Sequence, residues 1–226
     1  MSSAPSGKRA ISAGAFATLL LIALMMGANH VAARIAFNNG VDVATAVVVR
    51  SAVTALVVGG LLLTARVRLL TTARHKRFLL VIGLLIGVQS LCLYSAVARL
   101  PVALALLAFN TYPLWTALWD RLLYQRRPER ATLQAMPVIL VGLALALDVF
   151  GAASGLGAAG QWARIGAGVV FALAAAATFG LALVLTQHET KGIDGRLRTA
   201  STMVLAGLVA LTVVGGRKAA CICPPP

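Results

Sequence analysis

The strongest constraint on the fold of this chain is a series of seven apolar runs, each about as long as a membrane is thick. A hydrocarbon core about 30 Å thick needs roughly 20 apolar residues in helical conformation to cross it. The chain is 60% hydrophobic and 12% charged, which is too apolar for a soluble domain. The sequence therefore predicts an all-α polytopic membrane protein with seven transmembrane helices. The runs cover residues 11–33, 44–64, 78–98, 102–123, 133–150, 165–186 and 199–216.

The net charge of +14 is distributed in the way that orients membrane helices. If the amino terminus is cytoplasmic, fourteen of the 20 Lys and Arg residues lie in inner segments, five lie outside and Arg50 lies within a span. Cytoplasmic loops of membrane proteins carry such an excess of positive charge. The sequence predicts a multi-pass protein of the cell (inner) membrane with a cytoplasmic amino terminus. The expected partner of the helices is therefore the lipid bilayer, and we do not expect the protein to bind nucleic acid.

A short motif occurs twice, 152 residues apart. It reads NGVD at residues 39–42, between the first two runs, and KGID at residues 191–194, between the last two. At this offset runs one and two align with runs six and seven, so the repeat unit contains five helices. Five is odd, so the second copy is inverted in the membrane, as in many secondary transporters whose site lies between the halves. Chance similarity between apolar helices is the alternative explanation.

Three stretches resemble the EamA-type branch of the drug/metabolite transporter superfamily. They are MMGANHVAARIAF, NNGVDVATAVVVRSAVTAL and YSAVARLPVALALLAFNTYPLW. The resemblance implies a ten-helix carrier made of two inverted five-helix repeats. Such a carrier moves small metabolites such as amino acids, or drugs, without a metal or organic cofactor, so a small-molecule substrate is the expected partner.

The resemblance also divides the chain and reveals two departures from the family pattern. The sequence Arg126-Arg127-Pro128 stands where the family usually has an acidic residue before a basic residue and proline, and the second repeat ends after two helices. We interpret the final RKAACICPPP as the product of a frameshift or premature stop. The expected divisions are a cytoplasmic amino terminus (1–10), a first repeat (11–150), an outer linker (151–164), a partial second repeat (165–216) and an aberrant tail (217–226).

Arg50 and Asn110 are polar residues inside predicted spans. A cation within a span costs about 2.5–3.5 kcal/mol on insertion scales and by default marks function. Arg50 could pair with a substrate carboxylate, or it could snorkel to the outer boundary about two turns away. Asn110 lies shortly before Pro113. Because proline has no N–H, one backbone carbonyl in this span would lack its helical hydrogen bond and could face a cavity. A hydrogen bond between helices is the alternative for Asn110.

Other polar and aromatic residues would complete a cavity wall. Asn29, Gln89, Ser90 and Tyr94 are candidates for binding the polar groups of a substrate, and Trp115 could stack on it. Packing hydrogen bonds and ordinary interface chemistry are the alternative explanations.

Two residues are candidates for proton coupling. His30 lies near the outer end of the first span, and Asp148 lies at the outer end of the fifth. The sequence contains no metal-ligand cluster, nucleophile arrangement or carboxylate pair, so we do not expect an enzyme.

The sequence thus predicts a carrier that works by alternating access. One alternative is an inert, truncated remnant that cannot close its central cavity. The other is a seven-helix receptor, although receptors of that kind normally place the amino terminus outside. Small-residue stripes, such as Gly83 with Gly87, predict close helix packing. A homodimer is possible, and the sequence does not decide whether one forms.

Overall fold

The chain folds into a bundle of membrane-spanning helices, as the apolar runs predict. The computed structural model describes residues 12–64, 72–126, 130–146, 148 and 157–222. Within these ranges, six segments are long and apolar enough to cross a membrane, and α4 and α5 together form one of them. The all-α polytopic prediction is therefore confirmed. The helices are α1 (Ala13–Asn38), α2 (Val43–Thr64), α3 (Ala73–Arg99), α4 (Val102–Phe109), α5 (Tyr112–Tyr124), α6 (Arg130–Ala146), α7 (Gly157–Glu189) and α8 (Gly195–Ile222).

Some helix ends differ from the predicted runs. The fifth run corresponds to α6, whose apolar part, Met136–Ala146, is shorter than a full span. Helix α7 begins at Gly157, inside the predicted linker, and α8 continues to Ile222, inside the predicted tail. The predicted amino terminus (1–10), residues 151–156 of the linker and the last four residues of the tail lie outside the described residues.

The predicted helix over residues 102–123 is broken near its middle. Helix α4 ends at Phe109, and α5 begins at Tyr112 with Pro113 in its first turn. Because proline has no N–H, it is well tolerated at the start of a helix and poorly in the interior. The Thr111 hydroxyl donates to the carbonyl of Ala108 at 2.8 Å and satisfies one acceptor at the break. The span is therefore two short helices rather than the single kinked helix that the sequence predicts.

The repeated motif forms the same turn twice, and we call residues 39–42 the first turn and residues 191–194 the second turn. Gly40 has a φ of 83° and Gly192 a φ of 84°, in the region that favours glycine. The side chains of Asp42 and Asp194 each accept a hydrogen bond from the backbone N–H two residues later, at 3.0 and 2.8 Å. An aspartate there satisfies an amide at the start of the next helix. Each motif thus ends one helix and begins another.

The two turns lie at opposite ends of the bundle. Asp42 of the first turn lines a cavity together with Arg99, at the C-terminal end of α3. The second turn follows Glu189, which accepts hydrogen bonds from Arg74 at the N-terminal end of α3. Since α3 is 27 residues long, the α7–α8 hairpin is inverted relative to the α1–α2 hairpin. We call the end that holds the second turn the basic end, because its residues include Arg74, Lys76, Arg77, Arg126, Lys191 and Arg196.

Glycines allow the helices of the bundle to approach closely. Gly83 and Gly87 on α3 face α8, where a Cβ added to Gly87 would lie 3.0 Å from the Cβ of Val209. Gly180 on α7 faces α5, where an added Cβ would lie 2.9 Å from the backbone N of Thr116. In lipid, where helices gain little from the hydrophobic effect, such close packing drives association. Helix α3 consequently packs along both α7 and α8, and α2 packs along α8.

We predict that Gly180→Ala lowers the free energy of unfolding by about 1–3 kcal/mol, because the new methyl group would collide with the backbone of α5. The matched control is Gly142→Ala on α6, where an added Cβ meets nothing within 4 Å among the described residues. The measurement is chemical unfolding of the purified protein in detergent. Equal stability of the two variants would contradict the close contact between α5 and α7.

Candidate functional site

Helices α1, α2 and α3 bring polar side chains together around Tyr94. Tyr94 is only 3% exposed. The Asn29 amide of α1 donates to its hydroxyl at 3.2 Å. The rings of His30 and Phe37 pack edge-on against it, with centroids 5.9 and 5.8 Å away. The guanidinium carbon of Arg50 lies 5.2 Å from the ring centroid, within the range of a cation–π interaction.

Arg50 is also the start of a short hydrogen-bond chain. Its Nη2 donates to the hydroxyl of Ser90 at 2.7 Å, and that hydroxyl lies 3.4 Å from Oε1 of Gln89, to which it donates. Ser90 and Tyr94 are four residues apart on α3, so both present to the same face of the helix. We refer to Asn29, His30, Arg50, Gln89, Ser90 and Tyr94 as the Tyr94 cluster.

Two nitrogens of the Tyr94 cluster are buried without a hydrogen-bond partner among the described residues. They are Nε of Arg50 and Nδ1 of His30. Lipid offers no hydrogen-bonding groups, so an unsatisfied donor or acceptor inside a membrane is costly. Buried polar atoms without a protein partner are positions where water or a ligand can bind.

A groove of about 560 Å³ lies beside the Tyr94 cluster, between α1 and α2. Small-molecule sites typically have volumes of about 300–1,000 Å³. The groove reaches from Val41 in the first turn past Arg50 to Thr54, which lies one helical turn further along α2. Its polar lining comes from Asn29, Thr45, Arg50, Thr54 and Tyr94, and its apolar lining includes Ala33, Ala36, Val49 and Val53.

The other three predicted site residues lie elsewhere. Asn110 is exposed at the end of α4. Trp115 packs against α7, where its Cβ lies 2.9 Å from the position that a Cβ on Gly180 would occupy. Asp148 is half-buried, two residues after the end of α6, and its N–H donates to the carbonyl of Leu145. Of the eight predicted residues, the structure gathers Asn29, His30, Arg50, Gln89 and Tyr94.

Arg34 has a structural role that sequence reasoning missed. Its Nη1 donates to the carbonyl of Val97 at 2.7 Å and approaches that of Leu100 at 3.5 Å. These carbonyls belong to the last turn of α3, which Pro101 terminates, and a cation favours the C-terminal end of a helix. The signal in the sequence was a basic residue near the end of one span and a Leu-Pro break at the same side of the membrane.

A second polar cluster, which we call the end cluster, joins α3, α5 and α7 at the basic end. Nε and Nη2 of Arg74 donate to Oε2 of Glu189 at 3.0 and 2.7 Å, and the Tyr124 hydroxyl donates to Oε1 at 2.8 Å. Nε2 of His188 lies 2.8 Å from Oδ1 of Asp120. The rings of His188 and Tyr124 stack with centroids 3.8 Å apart. Sequence reasoning did not pair these residues, because charged groups near the ends of spans are common.

A comparison with protein-family models matches residues 13–147 to the EamA-like transporter family. The match covers more than half of the chain and includes every helix that contributes to the Tyr94 cluster. No curated protein matches the chain. No solved structure matches it either. Within the described residues, no three His, Cys, Asp or Glu side chains are placed to hold a metal ion.

We predict that Asn29 and Tyr94 are energetically coupled. A double-mutant cycle with Asn29→Ala and Tyr94→Phe should give a coupling energy of about 0.6–1.7 kcal/mol. Phenylalanine keeps the ring and removes the hydroxyl that accepts the hydrogen bond from the Asn29 amide. Unfolding free energies in detergent supply the four values. The control pairs Asn29→Ala with Thr178→Val, whose hydroxyl bonds within its own helix, and should be additive. A coupling near zero at Tyr94 would contradict the contact.

Proposed function

Because this chain belongs to the EamA-like transporter family, and is thus a multi-pass membrane transporter of the drug/metabolite type, we propose that Arg50 binds the anionic group of its substrate. The substrate is a small metabolite or drug that carries a carboxylate or a similar anion. The observation that carries the proposal is a half-buried guanidinium that lines a groove of suitable size.

The charge of Arg50 supports an anionic substrate. Among the described residues its contacts are the hydroxyl of Ser90 and the face of Tyr94, and neither neutralises a positive charge. It forms no ion pair with a described carboxylate. A guanidinium presents its N–H groups in a planar fork that suits a carboxylate, and such charge-assisted hydrogen bonds are stronger than neutral ones. A bound anion would therefore offset the cost of keeping this cation inside a span.

The rest of the groove supports a small substrate with both polar and apolar parts. Thr45 offers a hydroxyl group, and the Thr54 hydroxyl, which donates to the carbonyl of Arg50 at 2.9 Å, can still accept a hydrogen bond, while Val49 and Val53 offer apolar surface. A molecule with one acid group, one further polar group and a short apolar side chain, such as an amino acid, would use all of these.

His30 lies close to Tyr94 with one unsatisfied nitrogen, so we propose that it accepts and releases the proton if transport is proton-coupled.

We propose that the carrier works by alternating access in the inner membrane, with its amino terminus in the cytoplasm. The excess of Lys and Arg in the connections at the basic end supports this orientation. In that orientation the groove faces the outer side, because it reaches the first turn. Transport then requires a second conformation in which the Tyr94 cluster is accessible from the basic end.

We predict that replacing Arg50 with Ala weakens substrate binding about 10- to 100-fold, because a hydrogen-bonded charged group is removed. The purified protein in detergent is exposed to a panel of small carboxylates, with the uncharged amide of each as a comparison, and its thermal stability is measured. At least one carboxylate should raise the melting temperature of the unmodified protein more than its amide does. Uptake of that compound into proteoliposomes provides the transport readout.

The matched control for this experiment is Arg121→Ala. Arg121 is an exposed residue of α5, so its replacement removes the same charge without touching the groove. The control should keep both binding and uptake. Stabilisation by a carboxylate that persists in Arg50→Ala would contradict the role of Arg50, and equal stabilisation by acids and amides would contradict the anionic substrate.

A further inference from the structure

The end cluster is positioned to control access from the basic end. It connects α5, the last part of the fourth span, to α7, the first helix after the first repeat, and it also binds α3. The groove beside Arg50 extends toward the opposite end of the bundle. The bundle therefore has a groove that reaches the end with the first turn, and polar contacts between helices at the basic end.

The end cluster can separate at moderate cost because Arg74 and, to a smaller extent, Asp120 (27% exposed) are close to water. The side chain of Arg74 is 72% exposed, whereas that of Glu189 is 9% exposed. Water can replace the lost hydrogen bonds of groups at the membrane boundary, which it cannot do for groups at the bilayer centre. The glycine contact between Gly180 and α5 has no such substitute, because its energy comes from close packing. The end cluster is thus the part of the α5–α7 interface that is best suited to open and close.

The end cluster also lies over an apolar layer between α3 and α7. This layer contains Phe78, Ile82, Leu181, Ala182 and Leu185. A polar pair alone would admit water along its hydrogen bonds, but the apolar side chains next to it offer water no hydrogen-bonding groups between α3 and α7. The two layers together close the interfaces of α7 with α3 and α5 at the basic end.

We propose that the end cluster is the gate of the basic end: Asp120 with His188, and Glu189 with Arg74 and Tyr124, hold α5 against α7 while the groove is open at the first turn. These contacts must separate before substrate can leave at the basic end. The residues act by positioning helices and do not touch the substrate. This inference rests on the proposed transport cycle but not on the identity of the substrate or on Arg50.

The test measures the distance between the two helix ends. Spin labels are attached to cysteines at Arg126→Cys and Lys191→Cys, both exposed, in a protein whose native cysteines are replaced by serine. Double electron–electron resonance on the protein in lipid nanodiscs then gives the distribution of distances. The unmodified cluster should give mainly the short distance of the closed gate. Glu189→Ala removes the acceptor of both Arg74 and Tyr124, so it should raise the ratio of long to short distances about tenfold.

A milder variant keeps the test decisive if Glu189→Ala folds poorly. Tyr124→Phe preserves the stacking on His188 and removes a single hydrogen bond, so it should shift the same ratio in the same direction by about two- to fivefold. The control is Arg121→Ala, which changes a charge on α5 outside the end cluster and should leave the distances unchanged.

Two readouts separate a gate from a cluster that only stabilises the fold. A merely structural cluster would lower the melting temperature of both variants and leave their distance distributions as they are, and that result would overturn the proposal. The distances are measured without substrate. A failed substrate test at Arg50 would therefore contradict the proposed site without affecting the outcome for the gate.

Discussion

The guanidinium of Arg50 must find polar partners at a depth where lipid offers none, and much of the surrounding structure follows from that requirement. Helix α3 supplies the hydroxyl of Ser90 and the ring of Tyr94, and α1 supplies Asn29 to hold the Tyr94 hydroxyl. Close contacts at Gly83 and Gly87 hold α3 against α8, so the partners of Arg50 lie on a closely packed helix. Residues of three helices thus meet around this one half-buried charge.

The inverted arrangement of the two hairpins gives the site its surroundings. The first and second turns share a glycine with positive φ and an aspartate that caps the following helix, yet they lie at opposite ends of α3. The groove extends toward the first turn, and the end cluster lies next to the second. A transporter needs one open and one closed side at any moment, and inverted hairpins can supply both from one repeated sequence.

Sequence reasoning named the residues of the Tyr94 cluster as candidates because polar residues such as Asn29, Arg50 and Tyr94 stand out in apolar runs. It placed Asn110 beside a cavity because Pro113 would free a carbonyl within one continuous span. The break between α4 and α5 changes the rotation of the helix at that point, and Asn110 is exposed. The end cluster could not be predicted, because the pairing of Asp120 with His188 depends on how α5 packs against α7. Helical periodicity carries no information about such a contact.

The most direct test of the account is the accessibility of the groove beyond Arg50. Thr54→Cys places a thiol in the groove one turn past Arg50, while Leu56→Cys places one at a side chain that is 75% exposed on the outer surface of α2. A negatively charged thiol reagent is added to sealed vesicles, and the alkylation rates at the two positions are compared. The account predicts that Thr54→Cys reacts from the side of the first turn and that Leu56→Cys, facing lipid, does not. No reaction at Thr54→Cys, or reaction at both positions at the same rate, would contradict an aqueous substrate path that reaches Arg50.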